Sequence, residues 1–423
     1  MINYNEAYNF LISLNNIPRK EYMADPRHCG WYLKRLQFFL NILGNPEKKI
    51  PHYIHVTVTS GKGSVCLMLN SILRSSGKKI GTLTSPHPSV ILERWEINGR
   101  PMPKKDFAKI VEEIKPKLDE YIRTTPYDML SYGEVSTAVG LYYFAKQKID
   151  WAILEVGCGG RYDSTNVIPH KDVAVITNIG LDHKGTIGST KSEIAYEKSG
   201  IIKKGNRVFT EEKNKKILKI IERECNKASC DINKVLCREN YEFRTINHNL
   251  KGASFEYKNN TYVLPLLGKH QIKNAILAIE IADFLKISKT KIKNGLKNAK
   301  IPVCMEIASQ NPLIILDGAH NPAKIKSSIE TISQLTDKKI NLVVGFADNK
   351  EWTKLIKQLA EIKPKSIACT RFTNNPFRKV ANPKIIADKF KKLLNPKTKI
   401  EIFLDPKKAL DWSKKQTKKN ELI

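Results

Sequence analysis

The sequence predicts an α/β protein of two domains, and three observations support this prediction. In the first part of the chain, short apolar segments that run into Gly- or Ser-containing turns alternate with helical stretches. That alternation is typical of a mostly parallel sheet with helices on both faces. The same pattern restarts after about residue 300, and 423 residues are too many for one ordinary core. We therefore predict a larger domain over 1–299 and a smaller, Rossmann-like domain over 300–423.

The first domain contains four apolar strand segments in sequence. Alternation from Ile54 onward indicates the first strand, and the segments KKIGTLTS, DWAILEVG and DVAVITNIG indicate three more. Apolar residues recur at helical spacing from Val65 to Leu73, and Gly77 is placed to end that helix. A further helix is predicted for SYGEVSTAVGLYYFAKQK.

The rest of the chain divides into a middle section and the second domain. In the middle section, roughly 206–266, the weaker strands YEFRT, SFEYKNN and TYVLP are expected to be antiparallel and peripheral. An amphipathic helix is predicted for LLGKHQIKNAILAIEIADFLK. Four strands separated by helices are then expected in the second domain, in PLIILDGAHNP, INLVVGF, KSIACTR and KIEIFLD.

Composition narrows the possible functions. The net charge of +30 invites a nucleic-acid partner, but the lysines are spread along the chain without clustered arginine and aromatic residues. We expect no nucleic acid and instead a solvated basic surface that favours anionic small substrates. No apolar run of about 18 residues and no basic leader is found, so we expect a soluble, cytoplasmic protein with no membrane partner. The eight cysteines form no CxxC pair and are expected to be reduced.

The segment VTVTSGKGSV resembles a phosphate loop with one part missing. It lies between a predicted strand and a predicted helix, where loop amides and the helix N-terminus attract an anion. A strict Walker A motif needs Gly five places before Gly61 and Ser or Thr directly after Lys62, but Val56 and Gly63 occupy those places. Taken alone, the turn is compatible with nucleotide binding and with an ordinary glycine turn. In a nucleotide site, Lys62 would reach the β- and γ-phosphates and Ser64 would hydrogen-bond one of them.

Acidic residues at two other strand ends favour the nucleotide hypothesis. Glu155 closes the apolar segment WAILE, where a buried carboxylate is costly unless it meets a cation or a donor. Asp182 and His183 follow VITNIGL in the same way. Each residue singly is more often structural, and His183 could simply cap a turn. Together they favour a Mg²⁺–nucleotide site, because Mg²⁺ is usually held by few carboxylates, a hydroxyl and substrate phosphates.

Six motifs in order then identify a family. They are TSGKGS, TSPH with ERWEING, EVGCGGRYDSTNV, ITNIGLDHKGTIGSTKSEIAYEKSGIIKKG, PLLGKHQIKNAILAIE and LDGAHNP. The chain resembles the folylpolyglutamate synthase and dihydrofolate synthase family of the Mur ligase superfamily. The resemblance implies a P-loop type ATPase domain followed by a Mur ligase C-terminal domain. It also implies an ADP-forming ligase that joins L-glutamate to a folate or to dihydropteroate through an acyl phosphate.

The same resemblance assigns roles to individual residues. It implies catalytic roles for four residues, Lys62, Lys198, Asp317 and His320. It implies ATP binding by Thr59, Ser60, Gly61, Lys62, Gly63, Ser64, Asn274 and Asp317. Metal binding is implied for Ser85, Glu155 and His183, with a carbamate on Lys198 as a further ligand. Without the family, Lys198 would be read as a surface lysine on a helix. ATP, Mg²⁺ and a monovalent cation are the cofactors implied, and a monomer is expected.

The chain departs from the family pattern at three places. Val58 and Ser60 replace the first Gly and the Asn of the family's phosphate loop, and Cys304 stands where an arginine is common. The chain stops at KKNELI, so we expect the second domain to lack its last strand and to have an unpaired edge. These departures motivate a second hypothesis, a degenerate nucleotide-binding protein without ligase activity. The choice between the dihydrofolate synthase and folylpolyglutamate synthase activities stays open.

Overall fold

The computed structural model describes residues 2–17, 29–57, 59, 61–181, 186–235, 242–348, 352–373 and 379–423. The chain divides into two compact units, each discontinuous in sequence. The first unit contains Met1–Arg244, Glu256–Leu264 and Lys273–Lys300. The second unit contains Thr245–Phe255, Pro265–Ile272 and Ile301–Ile423.

An eight-stranded sheet forms the centre of the first unit. Its strands are β1 His52–Thr57, β2 Ile80–Leu83, β3 Trp95–Ile97, β4 Arg100–Pro101, β5 Trp151–Glu155, β6 Val173–Ile176, β7 Arg207–Thr210 and β8 Asp231–Lys234. Their order across the sheet is β4-β3-β2-β5-β1-β6-β7-β8. The six strands from β2 to β8 in that order pair in parallel, whereas β3 and β4 are antiparallel additions at one edge.

Seven helices connect and cover this sheet in the described chain. They are α1 Tyr4–Ser13, α2 Cys29–Ile42, α3 Lys62–Ser75, α4 Lys104–Thr124, α5 Tyr132–Lys146, α6 Lys191–Ser199 and α7 Lys215–Lys227. The central strands β1, β2, β5 and β6 are buried along nearly their whole length, which is why they read as continuous apolar runs. The carboxyl ends of these parallel strands meet at one edge of the sheet, where ligands of such folds bind.

The middle section forms a small sheet, and two further helices come after it. Strands β9 Phe243–Asn249, β10 Gly252–Tyr257 and β11 Asn260–Leu264 are neighbours in a three-stranded sheet. Connections of two residues allow only antiparallel pairing, in agreement with the expected peripheral strands. Helices α8 Lys269–Phe284 and α9 Lys289–Lys297 follow. By contrast, β7 and β8, which lie in the same section, belong to the main sheet.

The second unit is built on a six-stranded sheet. After β12 Glu306–Gln310 and β13 Leu313–Leu316 come α10 Pro322–Leu335, β14 Lys339–Val344, α11 Trp352–Glu361, β15 Ser366–Cys369, α12 Pro383–Leu393, β16 Lys399–Ile402, α13 Pro406–Gln416 and β17 Glu421–Leu422. The strand order is β12-β13-β17-β14-β15-β16, and only β12 is antiparallel to its neighbour. The expected second α/β domain is therefore present.

The prediction that the second domain lacks its last strand is wrong. Leu422 pairs with Leu313 on one side and with Ile340 on the other, and the Ile423 amide donates to the Leu313 carbonyl at 2.9 Å. β17 is two residues long, lies between β13 and β14, and pairs with Lys339 and Ile340 at the start of β14. Among the described residues, no helix is long and apolar enough to cross a membrane.

Candidate nucleotide and metal site

The turn between β1 and α3 has the geometry of an anion-binding helix start. Gly61 is the N-cap of α3 and has a φ of 96°, a left-handed value that favours glycine. Lys62 is the first residue of the helix, and Ser64, in its first turn, is only 7% exposed. The positive end of the helix dipole and the amides of the first helical turn thus lie at the predicted phosphate site. Val58 and Ser60, two of the departures from the family pattern, lie outside the described residues.

Glu155 lies beside this turn, as predicted from its position at a strand end. It is the last residue of β5, pairs in register with Val56 of β1 and is 5% exposed. Its Oε2 atom is 3.9 Å from the position that a Cβ on Gly63 would occupy. Burial raises the pKa of the nearby Cys66 thiol well above its usual range, Glu155 adds to this increase, and Lys62 opposes it. The Glu155 carboxylate therefore lies at the start of α3, next to the turn that contains Lys62.

Ser85 completes one side of the predicted metal site. Its backbone amide donates to Glu155 Oε2 at 3.0 Å, and its Oγ atom lies 4.0 Å from the Cβ position of Gly157. Among the residues that the structure describes, no group of three His, Cys, Asp or Glu side chains could hold a metal ion. One hydroxyl and one carboxylate fit Mg²⁺ nevertheless, because this ion usually keeps several waters and takes phosphate oxygens as ligands. His183, the third predicted ligand, lies outside the described residues.

Lys198 is a buried residue. It lies in the last turn of α6 and is 1% exposed, so the alternative of a surface lysine is wrong. The end of α6 contacts the turn that follows Glu155, since the Arg161 amide donates to the Glu197 carbonyl at 2.8 Å. A Cβ on Gly160 would be 2.9 Å from the Lys198 carbonyl oxygen. The backbone around Lys198 is therefore fixed against the segment that follows Glu155.

Two other predicted ATP-binding residues take part in shaping the loop. Asn274 of α8 is buried, and its Oδ1 atom would be 2.8 Å from a Cβ on Gly61, so the amide group lies directly on the N-cap. The Thr59 hydroxyl accepts from the Gly180 amide at 2.8 Å and contacts the Gly180 carbonyl oxygen at 3.3 Å. Thr59 therefore ties the phosphate turn to the segment after β6.

Asp317 and His320 belong to the second unit, in the turn after β13. Asp317 accepts from the Ala319 amide at 2.6 Å and from the Met305 amide at 3.1 Å. The pKa of the Asp317 carboxyl group is raised, because protein surrounds much of the carboxylate. The two hydrogen bonds oppose this shift, and part of the residue is exposed to solvent. His320 Nδ1 lies 2.9 Å from the Gly318 carbonyl oxygen. That contact favours the tautomer with hydrogen on Nδ1 and leaves Nε2 as the acceptor.

Cys304, where the family commonly has arginine, lies in a strained segment of the second unit. Val303 has a φ of 47° and Met305 a φ of 51°, left-handed values that are rare for these residue types. The Gln271 amide group contacts the Cys304 Sγ atom at 3.1 Å. The Met305 amide is also the donor that holds Asp317, so the unusual backbone here is part of what orients that carboxylate.

The residues that fix the turn Gly157–Asp163 were not predicted from the sequence. The Thr57 hydroxyl donates to the Gly159 carbonyl at 2.8 Å, and Asp163 Oδ2 accepts from the Cys158 amide at 2.9 Å. An Asp followed two residues later by Thr is a local turn signal that could have pointed to Asp163. Thr57 gave no such signal, because it reads as one more strand residue.

The turn at a helix N-terminus and the acidic strand end beside it define a nucleotide-binding α/β protein. Comparison with known families agrees: residues 56–282 match the Mur ligase middle domain, and residues 305–423 match the Mur ligase glutamate ligase domain. The dihydrofolate synthase/folylpolyglutamate synthase of Bacillus subtilis is 33% identical over 78% of this chain and 79% of its own. The folylpolyglutamate synthase of Lacticaseibacillus casei is 30% identical over 85% of this chain and 83% of its own.

Solved structures give the same result. The crystal structure of folylpolyglutamate synthase from Thermotoga maritima has a TM-score of 0.83 at 30% identity, covering 99% of this chain and 93% of its own. Folylpolyglutamate synthase from Mycobacterium tuberculosis, solved with ADP and AMPPCP, has a TM-score of 0.80 at 26% identity, covering 91% of this chain and 88% of its own.

This chain belongs to the folylpolyglutamate synthase and dihydrofolate synthase family, within the Mur ligases. Membership places it among the ATP-dependent ligases. The relatives give no support to the alternative of a degenerate nucleotide-binding protein.

Proposed function

We propose that this chain joins L-glutamate to the carboxyl group of a folate, of dihydropteroate or of both, with ATP converted to ADP and phosphate. The observation that carries this proposal is the position of Glu155, a buried carboxylate beside the amide-rich start of α3. A buried carboxylate is costly unless it meets a cation or donors, and Ser85 supplies one donor. A Mg²⁺–ATP complex would supply the cation. A cytoplasmic location, where ATP and glutamate are both supplied, is part of the proposal.

In this reaction the acceptor carboxylate attacks the γ-phosphorus of ATP, and ADP leaves. The glutamate amine then attacks the resulting acyl phosphate, phosphate leaves and an amide bond forms. Both substrates are anions, so positioning and charge neutralisation are the main requirements. Lys62 at the start of α3 is suited to neutralise the phosphates, and the buried amide of Asn274 lies on the Gly61 N-cap, where it is suited to contact the nucleotide.

Mg²⁺ would be held by Ser85 and Glu155, with His183 for a second ion, and would supply neutralisation of phosphate charge. Lys198 is proposed to carry a carbamate, which would convert a buried lysine into a negatively charged ligand. Addition of short carboxylates to Lys198→Ala is expected to restore part of the activity, because they can replace the carbamate. Failure of every short carboxylate to restore activity would argue against the carbamate.

Asp317 and His320 are proposed to take part in positioning nucleotide and glutamate. A requirement for a monovalent cation and a monomeric state belong to the same proposal. Omission of potassium from the assay and light scattering of the purified chain test these two points.

The acceptor is tested by product analysis. The purified chain is incubated with Mg-ATP and glutamate, and dihydropteroate and tetrahydrofolate are supplied in separate reactions. We expect mass spectrometry to show a glutamylated product with at least one acceptor and none without ATP. Lys62→Met, run in parallel, controls for contaminating ligase. No product with either acceptor, or equal product from Lys62→Met, would overturn the proposal.

A further inference from the structure

A buried row of polar side chains lies behind the turn Gly157–Asp163. Four side chains form this row, and each is at most 7% exposed. In spatial order they are Asp163, Thr165, His55 and Lys171. Asp163 Oδ1 is 2.5 Å from Thr165 Oγ1, which is 2.8 Å from His55 Nε2. His55 Nδ1 is 2.9 Å from Lys171 Nζ. The row therefore runs without a break from a lysine at the start of β6 to the turn after β5.

The chemistry of the groups fixes the direction of every hydrogen bond in this row. A carboxylate only accepts hydrogen bonds, so the Thr165 hydroxyl donates its single hydrogen to Asp163. That hydroxyl must then accept from His55, which places a hydrogen on Nε2. A neutral imidazole with hydrogen on Nε2 has a lone pair on Nδ1, and this lone pair accepts from Lys171. The Lys171 amine can donate to this lone pair in either charge state, so Lys171 is the donor at which the row begins.

Within the described part of the chain, the partners of the Lys171 ammonium group are uncharged side chains. Its Nζ atom donates to His55 and to the Asn166 side-chain oxygen at 2.9 Å, and both acceptors are uncharged. The other charged groups that face His55 are Lys203 and, through Thr165, Asp163. Burial, Lys171 and Lys203 hold the pKa of His55 well below its usual range. A second hydrogen on His55 would face the Lys171 donor, so the row works only with neutral imidazole.

The turn that this row holds lies between the two sides of the candidate site. Asp163 Oδ2 accepts from the Cys158 amide at 2.9 Å and would be 3.3 Å from a Cβ on Gly157. On one side the turn follows Glu155 and approaches the Ser85 hydroxyl. On the other side it contacts the backbone of Lys198. A shift of Asp163 would therefore move backbone next to the proposed metal ligands.

We propose that Lys171 is a positioning residue for the metal–nucleotide site: its hydrogen bond fixes the His55 tautomer that holds Thr165, Asp163 and the turn Gly157–Asp163. This inference rests on the proposed function only in naming the bound species as Mg²⁺ with nucleotide. Thr165 and Lys171 select this tautomer together, and loss of the Lys171 donor removes one of these two contacts. The other tautomer then becomes more populated, and it would present a lone pair to a hydroxyl that has no hydrogen to give, so the turn is held less firmly.

The first test measures the tautomer and needs no ligase activity. Nitrogen chemical shifts of labelled histidine, assigned with His55→Gln, are expected to report hydrogen on Nε2 in the parent protein. Lys171→Met, which keeps side-chain length without a donor, is expected to give a mixture of tautomers. Lys203→Met removes a half-buried lysine that donates to the Asn166 and Ile168 carbonyls, at 2.8 and 2.6 Å, and is expected to keep the parent signal. An unchanged tautomer in Lys171→Met would overturn the proposal.

The second test measures binding of Mg-ADP by calorimetry, again without turnover. Outer partners of metal sites typically contribute about 10- to 100-fold in affinity, so we expect at least a tenfold weaker apparent Mg²⁺ affinity in Lys171→Met. Thr165→Val removes the hydroxyl in the middle of the row and is expected to weaken the apparent Mg²⁺ affinity to a similar extent. Thr165→Ser keeps the hydroxyl and is expected to keep most of that affinity. The double variant Lys171→Met/Thr165→Val should be little worse than the poorer single variant.

If Lys171→Met does not fold, the proposal is tested by comparing Thr165→Val with Thr165→Ser. Equal apparent Mg²⁺ affinities of these two variants would overturn the proposal. Absence of any Mg-ADP binding by the parent protein would instead contradict the proposed function. The tautomer measurement would still decide the structural role of Lys171.

Discussion

Gly160 lets two backbone segments of the candidate site approach each other. A Cβ at this position would be 2.9 Å from the Lys198 carbonyl oxygen and 3.1 Å from the Glu197 carbonyl oxygen. Both atoms belong to backbone, which cannot rotate away as a long side chain can. The turn after Glu155 and the end of α6 can therefore approach this closely only while residue 160 is glycine.

Gly160→Ala is expected to separate the turn from α6 and to lower ligase turnover at least tenfold, because small displacements of positioning groups have large effects on rate. Steady-state kinetics and a melting curve measure the two effects separately. Gly30→Ala is the matched control, since a Cβ there meets nothing within 4 Å. Parent-like kinetics of Gly160→Ala would show that the close approach has no part in the reaction.

Glu155→Gln tests the charge of the strand-end carboxylate with little change in shape. The amide oxygen can still accept from the Ser85 backbone, so we expect the fold to survive. Loss of the negative charge should weaken metal binding and lower turnover by about a hundredfold or more. Activity at the parent level over a range of Mg²⁺ concentrations would remove Glu155 from the metal site.

At the scale of elements, the position of the phosphate turn depends on how α3 is held. Helix α9 crosses α3 closely at Gly295, where a Cβ would be 2.4 Å from the Ile72 Cα atom. The Ser71 hydroxyl donates to the Gly295 carbonyl at 2.7 Å across the same contact. This crossing fixes the axis of α3, and with it the direction of the amides at Gly61 and Lys62.

Gly295→Ala is expected to destabilise the protein by about 1–3 kcal/mol, the usual cost of forcing an extra group into a packed contact. Urea unfolding measures the change. Lys297→Ala, on the exposed side of α9, is the control and should change stability by less than about 0.5 kcal/mol. Equal stabilities of the two variants would contradict the close helix contact.

The elements differ in how far the sequence predicts them. Strands β1, β2, β5 and β6 and helix α3 follow from apolar runs and helical spacing, because burial on both faces of a parallel sheet leaves a clear pattern. Strands β3, β4 and β17 have two or three residues each, too few for any period to appear. Whether these short segments form strands depends on pairing with strands that are distant in sequence.

The residues of the candidate site also differ in how far the sequence predicts them. Glu155 and Lys62 stand out because charges at the ends of apolar segments are unusual, and the structure brings them to one place. His55 and Lys171 do not stand out, since one residue lies inside a strand and the other among polar loop residues. Their role follows only from three-dimensional contacts, which no spacing rule encodes.

At the scale of the whole molecule, charge sets how stability depends on pH. The chain has 72 Lys and Arg against 42 Asp and Glu, a formal net charge of +30. Burial lowers the pKa of Lys203 to about 8, and burial together with Lys203 lowers the pKa of Lys171 well below its usual range. Between pH 8 and about 9, these two lysines bind more protons in the unfolded chain than in the folded chain, so they make stability rise with pH. Above about pH 9, the buried thiols of Cys66, Cys225 and Cys369 act in the opposite direction, because burial raises their pKa.

We therefore expect maximal stability on the alkaline side, between about pH 8 and 10. Above that range the sign reverses, because burial raises the pKa of Tyr121 and of Tyr143 to about 12, and unfolding releases those protons. Urea unfolding at constant ionic strength from pH 6 to 10 measures the profile. Lys203→Met should flatten its rise above pH 8. A maximum at or below pH 7 would contradict this account.

The most direct measurement of the central claim follows an oxygen atom through the reaction. If this chain forms an acyl phosphate, one carboxylate oxygen of the acceptor must leave with inorganic phosphate. An acceptor labelled with ¹⁸O in the carboxyl group, incubated with the chain, Mg-ATP and glutamate, is expected to yield phosphate that carries one labelled oxygen per product formed. Labelled phosphate in that ratio would establish the ligase chemistry. Unlabelled phosphate alongside glutamylated product would contradict it.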